Sequence, residues 1–173
     1  MQRIQKNHFL LLEVAKKVQQ SHPDWTFHLV GKDFEDDYSR QIKNLISEFH
    51  LKNSVFIYGS KQDIATILEQ STIAILTSQS EGLPVSLLEY GLYAKPVVVT
   101  DVGEIPLLIQ DSINGYMVDS CNVQSFYDSL VKLMENQTLQ DNFGKALQQT
   151  IKSNYSEQTV IKQYLTWLEN SIK

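Results

Sequence analysis

The sequence has almost no cysteine. Cys121 is its one thiol in 173 residues, so neither a disulfide framework nor a cysteine-built zinc site can form within it. Its four histidines, His8, His22, His28 and His50, are scattered without metal-ligand spacing. It has no basic face either. The net charge is −5, and Lys16-Lys17 reads as the solvated side of a helix. Counterion release needs a basic surface, so no nucleic-acid partner is expected. No apolar run approaches the ~20 residues of a membrane span. The amino terminus shows no apolar core followed by a small-residue cleavage site, so no secretory signal is read there. These absences leave a cytoplasmic soluble domain. Hydrophobic residues make up 42% and charged residues 20%, ordinary for a globular protein. The length favours a single domain over 1–173 that buries roughly 70% of the unfolded chain's surface.

Apolar residues then recur with two alternating rhythms. Phe9, Leu10, Leu12, Ala15 and Val18 fall at helical spacing, predicting a helix from Asn7, its N-cap, to about Gln20. Ser21-His22-Pro23-Asp24 breaks it, and Trp25 to Val30 is a strand candidate ending at Gly31. A helix follows over Asp36–His50, with Ile42, Leu45, Ile46 and Phe49 on one face. Val55 to Tyr58 is a strand closed by Gly59, Asp63 to Gln70 a short helix, and Thr72 to Leu76 a strand. The series runs on through a helix carrying Glu89, a strand over Val97–Thr100 and another at Tyr116-Met117-Val118. Three C-terminal helices end it, near Val123–Glu135, Leu139–Ser153 and Glu157–Ser171.

Alternation of this kind implies a parallel sheet with helices on both faces. Ile73 to Leu76 and Val97 to Val99 are apolar at consecutive positions, as strands covered on both sides require. The fold expected is α/β, a Rossmann-like parallel sheet. Such a sheet opens with a strand, yet this chain enters its first helix almost at once.

Residues Thr77 to Gly103 carry the most specific pattern: a strand end, an acidic turn at Glu81-Gly82, a helix with Glu89, then Pro96-Val97-Val98-Val99. Glu81 and Glu89 stand at Glu-x7-Glu spacing. The order resembles the nucleotide-sugar site of family-4 retaining glycosyltransferases, in the C-terminal half of the glycosyltransferase-B fold. Relatives of that family carry an apolar strand ending in Gly-Arg, then a Lys-Asn pair. Lys6-Asn7 matches the pair, but Met1-Gln2 stands where the strand would be ending. The resemblance thus implies an N-terminal truncation that removes the first strand and an acceptor domain.

Ligands in open α/β sheets bind at the carboxyl ends of the strands, which here means the loops at Gly31, at Gly59-Ser60-Lys61, from Ser78 to Gly82 and at Asp101-Val102-Gly103. Strand-to-helix turns also use glycine with no ligand present. With Pro84 as first helical residue, Leu83 would be a poor N-cap, leaving the Val85 and Ser86 N–H groups to water or to a diphosphate. On the residues alone Glu81 is a solvated turn carboxylate, and Glu89 lies at the edge of an apolar face formed by Val85, Leu88 and Leu92. The resemblance implies more. Glu89 would accept both ribose hydroxyls, since a carboxylate offers one oxygen to each. Glu81 would be the catalytic residue facing the donor sugar, and Lys6 would hold the diphosphate. Gly82, Leu83, Pro84 and Val85 would surround sugar and phosphate, with Gly31, Ser60 and Lys61 at base and ribose. Arg3 stands too near Lys6 to inherit the family arginine's role. Asp101-Val102-Gly103-Glu104-Ile105-Pro106-Leu107 departs from the family's Asp-x-Gly-Gly-x-Pro-Glu, which puts fine sugar positioning in question.

The reading is the donor-binding half of a retaining glycosyltransferase that takes a nucleoside-diphosphate sugar and needs neither metal nor other cofactor. The chain alone is expected to be inactive. Its partners would be the sugar nucleotide and a saccharide or lipid-linked acceptor presented by the missing domain, with peripheral membrane association of the complete enzyme. The rivals are a non-catalytic nucleotide- or partner-binding domain and the C-terminal half of a sugar-nucleotide epimerase.

Overall fold

The computed structural model describes residues 4–171, so Arg3 and the expected strand end at Met1-Gln2 lie outside the described residues. Its helices are α1 (His8–Ser21), α2 (Asp37–Glu48), α3 (Ile64–Gln70), α4 (Val85–Leu92), α5 (Val123–Met134), α6 (Gln137–Tyr155) and α7 (Glu157–Ser171). The strands are β1 (Phe27–Leu29), β2 (Val55–Ile57), β3 (Ala74–Leu76), β4 (Val97–Thr100) and β5 (Tyr116–Val118), and every pairing is parallel.

The sheet is divided. Among the described residues β1 pairs only with β2, while β3, β4 and β5 form a second sheet in that order. The elements follow one another in the expected order and type, and the split into two sheets was not expected.

Four helix starts follow from side-chain capping, in which a short acceptor satisfies an otherwise orphaned amide. Asp36 accepts from Ser39 N–H, Asp63 from Thr66 N–H, Asn122 from Ser125 N–H and Asn136 from Leu139 N–H. Asn7 occupies the cap position of α1 but does not cap it. The 3-10 turn Ile4–Lys6 delivers the chain with Asn7 at φ 49°, a left-handed conformation that Asn tolerates. Its side-chain amide donates instead to Ser120 O at 3.4 Å.

Two strands are shorter than their apolar runs. Trp25 belongs to a turn, its N–H bonded to His22 O, and the β3 ladder starts only where Ala74 N–H meets Pro96 O.

β4 separates two cores. Val98 faces a core built from α1, α2, α5 and β1, while Val97 and Val99 face one built from α4, α6 and the Ile105–Ile109 segment. All four β4 residues are fully buried, so the consecutive apolar pattern has its expected cause. α1 packs on α5, and α4 packs on α6. In the second contact Gly144 lies so close to Ala94 that a Cβ there would sit 2.0 Å from the Ala94 oxygen. The face of α4 differs from the one expected: Leu87 and Gly91 are buried, whereas Val85 is 67% and Leu92 52% exposed. The glycine explains it, because the helix turns its thin side to Leu147 and Ile151 of α6.

Candidate functional site

The carboxyl ends of the strands converge on a cavity of about 1200 Å³ that also runs between the two sheets. Gly31 after β1 and Gly59 after β2 are tied by a Gly31 N–H bond to Gly59 O at 2.9 Å. Gly59 is at φ +69°, where the missing side chain matters. Of the residues picked from sequence, Lys6, Gly31, Lys61 and Glu89 line this cavity. Ser60, Glu81, Gly82, Leu83, Pro84 and Val85 are not part of its wall. Ser60, Gly82, Leu83 and Val85 are exposed around it, and Pro84 is buried.

Glu81 is engaged on two sides. Lys6 Nζ forms an ion pair with Glu81 Oε1, and the same oxygen accepts from Ser78 Oγ at 2.6 Å. Both partners of the ion pair are mostly shielded, with side-chain exposures of 18% and 12%. The turn that carries Lys6 is itself strapped to this loop: Gln79 N–H donates to Gln5 O at 2.7 Å and Thr77 Oγ1 to Lys6 O at 2.9 Å. From the other side, buried Thr100 donates to Ser78 O at 2.6 Å. Gly103, at φ +57°, approaches so closely that a Cβ would stand 1.7 Å from the Glu81 oxygen. Ser78, Thr100 and Gly103 were not singled out as bracing Glu81. The positive-φ glycine in a post-strand loop was the available signal.

Pro84 is the N-cap of α4, not its first residue as expected, and no side chain caps this end. The one-residue shift has a local cause: Pro84 sits at ψ 112°, outside the helical region, while its oxygen already accepts from Leu87 N–H at 2.9 Å. Glu89 shares its helical face with Ser86 and Tyr90, and all three line the cavity. Sequence reading missed those two, although the i, i+3, i+4 spacing places them together. Burial pushes the Tyr90 hydroxyl pKa up, a hydrogen bond with Ser86 lowers it, and the charges of Glu89 and Glu81 raise it further. Tyr90 therefore stays protonated and can act as a donor.

Asp33, in the loop after β1, is committed to structure. Its ion pair with Lys43 at 2.6 Å, with a bond from Glu35 N–H, holds its carboxyl well below the usual range. Glu104 precedes a 3-10 turn over Ile105–Leu107, and Leu107 is 67% exposed. Among the described residues no three His, Cys, Asp or Glu side chains cluster as metal ligands, and no helix is long and apolar enough to cross a membrane.

The arrangement offers a cation, a carboxylate aligned with two hydroxyls, and an uncapped helix amino end around one cavity. Comparison with known proteins agrees on where such a fold belongs. Residues 2–150 match the family described as glycosyl transferases group 1. Over 157 residues the chain is 29% identical to poly(ribitol-phosphate) alpha-N-acetylglucosaminyltransferase of Staphylococcus aureus, covering 90% of this chain and 31% of that protein. It is 27% identical to the Escherichia coli UDP-Gal:alpha-D-GlcNAc-diphosphoundecaprenol alpha-1,3-galactosyltransferase, covering 78% of this chain and 35% of the other. The chain thus spans about a third of the length of these relatives. The structure of S. aureus TarM with fondaparinux, alpha-GlcNAc-glycerol and UDP superposes with a TM-score of 0.85 at 28% identity, over 94% of this chain and 32% of that one. Anabaena Alr3699/HepE in complex with UDP gives 0.90 at 22% identity, over 96% and 46%, a likeness of fold. The chain belongs to the glycosyl transferases group 1 family and has the Rossmann-like architecture of the glycosyltransferase-B fold.

Proposed function

We propose that this domain binds the nucleoside-diphosphate sugar donor of a retaining glycosyltransferase. The carrying observation is the convergence of Lys6, Gly31, Lys61 and Glu89 on one cavity at the strand ends, with Glu81 paired to Lys6 beside it. UDP is bound in the S. aureus and Anabaena structures, which supports a uridine nucleotide as the first ligand to try.

In this reading Glu89 accepts the ribose hydroxyls, and the loops at Gly31 and Ser60-Lys61 hold base and ribose. The diphosphate lies at the amino end of α4, where the helix dipole and the N–H groups of Val85 and Ser86 favour an anion. Gly82, Leu83 and Pro84 border the sugar and phosphate. Lys6 shares its charge between Glu81 and the diphosphate, so leaving-group charge is neutralised without a metal ion. Glu81 faces the donor sugar, and the acceptor hydroxyl, saccharide or lipid-linked, enters from the leaving-group side. Polypeptide beyond this domain closes the cleft and excludes water, so the 173-residue chain is inactive by itself.

The test is a UDP titration followed by amide shifts, with and without EDTA. Shifts at Gly31, Val85, Ser86 and Glu89 that survive EDTA are expected. Shifts confined to α5–α7, or none at millimolar UDP, would refute the site.

A further inference from the structure

The cavity wall holds a pair of hydroxyls that the proposed function leaves unused. Ser86 and Tyr90 stand one above the other on α4, about 6 Å apart along its axis, and both line the cavity. Helical side chains lean toward the amino end, so the Tyr90 ring reaches back over Ser86 toward the uncapped first turn. The ring packs against the core formed by α4, α6 and the Ile105–Ile109 segment, and its hydroxyl is hydrogen-bonded with Ser86.

The protons of this pair do not balance. Two hydroxyls carry two protons and their mutual bond uses one, so one donor is left over. The other hydroxyls at these strand ends are spent on protein: Thr77 on Lys6 O, Ser78 on Glu81 Oε1 and Thr100 on Ser78 O. The surplus proton of the Ser86–Tyr90 pair has no acceptor among the described residues. Enclosed polar groups almost always have a partner, and here the cavity is where one can come from.

The surroundings set the chemistry of that acceptor. The Val85 and Ser86 N–H groups and the dipole of α4 favour negative charge at this helix end, and Lys6 lines the same cavity. Burial pushes the Tyr90 pKa up, the Ser86 bond opposes it, and the charges of Glu89 and Glu81 add to it, so the phenol keeps its proton. The phenol is also the more acidic hydroxyl, and against a charged acceptor it makes the stronger bond. Ser86 is then left to donate to the phenol oxygen. Along α4 the pair lies between the amino end and Glu89, which in the proposed function are the diphosphate and ribose positions.

We propose that Tyr90 is a nucleotide-binding residue, donating its phenol proton to the phosphate joined to the ribose while Ser86 donates to the phenol oxygen and holds its direction. This assignment deepens the proposed nucleotide reading and rests on it. Because the ring is anchored in the core, the hydroxyl is placed before the ligand arrives, and little ordering is needed on binding.

The test is Tyr90→Phe, which deletes one oxygen and leaves the ring packed, beside Ser86→Ala, each in the 173-residue chain. UDP and uridine are titrated into both, and the phosphorus resonances of bound UDP are followed. Tyr90→Phe should weaken UDP ~10-fold, the loss of one hydrogen bond to a charged group, with uridine changed less than about twofold and the thermal melt unmoved. The phosphorus joined to the ribose should shift most between the wild-type and variant complexes, and it decides the matter if uridine binds too weakly to measure. Ser86→Ala leaves the phenol in place and should cost UDP less. A loss of UDP affinity below about twofold in Tyr90→Phe would overturn the proposal. So would an equal loss for uridine, because the hydroxyl would then act on the ribose side. A change confined to the terminal phosphorus, or a greater loss in Ser86→Ala, would likewise remove Tyr90 from this contact. Failure of the unaltered chain to bind UDP would overturn the nucleotide reading and this assignment together, whereas variants that bind like the unaltered chain would overturn the assignment alone.

Discussion

Replacing Gly103 by alanine is the sharpest test of how Glu81 is positioned, provided Gly59→Ala is measured beside it. Both glycines have positive φ, +57° and +69°. An alanine there costs ~1–2 kcal/mol of backbone strain, partly offset by ~0.4–1 kcal/mol from a less flexible unfolded chain. At Gly59 nothing lies within 4 Å of the new Cβ, so the strain is the whole effect. At Gly103 the Cβ would stand 1.7 Å from the Glu81 oxygen and 2.8 Å from its carbonyl carbon. That obstacle is backbone and cannot rotate away. Overpacking of this kind adds ~1–3 kcal/mol. Gly103 is exposed, so its own loop can lift outward, which favours the lower half of that range.

The expected outcome is a stability loss of ~2–3 kcal/mol for Gly103→Ala against about 1 kcal/mol or less for Gly59→Ala. For a domain of this size each kcal/mol moves the melt by ~2–4 °C, so the two variants should separate by several degrees. Amide shifts should follow at Ser78 and Glu81, because their loop bears the displacement. Melting temperatures within ~2 °C of each other would refute the argument, since the close approach would then cost nothing.

Glu89→Ala should weaken UDP by roughly 10- to 150-fold, the loss of one or two charged hydrogen bonds, whereas Glu81→Ala should barely change it in an isothermal titration. In a full-length relative carrying the same loop, the Glu81 change should lower kcat instead. Gly144→Ala should destabilise more than Gly91→Ala, by chemical denaturation. The first Cβ meets the Ala94 backbone at 2.0 Å, the second only the end of the Ile151 side chain at 2.4 Å. Asp33, held below its ordinary 3.8 by Lys43, contributes stability that is present above about pH 4 and lost as pH falls below that value. Asp33→Asn should therefore flatten the acid limb of a melt-versus-pH curve while leaving an offset at pH 7.

Much of the fold was legible because its periodicities are strong. Val97-Val98-Val99 could be read as a strand covered on both faces before the two cores were seen. The α2 and α3 starts were legible through Asp36 and Asp63, side chains that do the capping themselves. The failures were at positions decided by distant packing. Asn7 carries an N-cap residue type, but the incoming 3-10 turn fixes its backbone. The buried face of α4 depends on Gly91 meeting Ile151, sixty positions away in sequence, so the apolar wheel pointed to Val85 and Leu92 instead. Lys6 and Glu81 were each picked from the sequence as charged groups of the candidate site, and they pair with one another. That they meet one another depends on Gln5 and Gln79 joining two loops, which no local pattern contains.

The two places where local rules break are adjacent in space. Four helices are capped by Asp or Asn, yet α1 and α4 lack a side-chain cap. Lys6 just before α1 and Ser86 in the first turn of α4 both line the cavity. At α4 the missing cap leaves amides short of acceptors and a partial positive charge facing outward, whereas at α1 the first amide, His8 N–H, donates to Tyr38 Oη at 2.9 Å. Placing a lysine before α1 adds repulsion that its ion pair with Glu81 offsets. The division of the sheet opens onto the same cavity, whose wall includes Lys6. Anything that orders the turn Ile4–Lys6 acts directly on the Lys6–Glu81 ion pair.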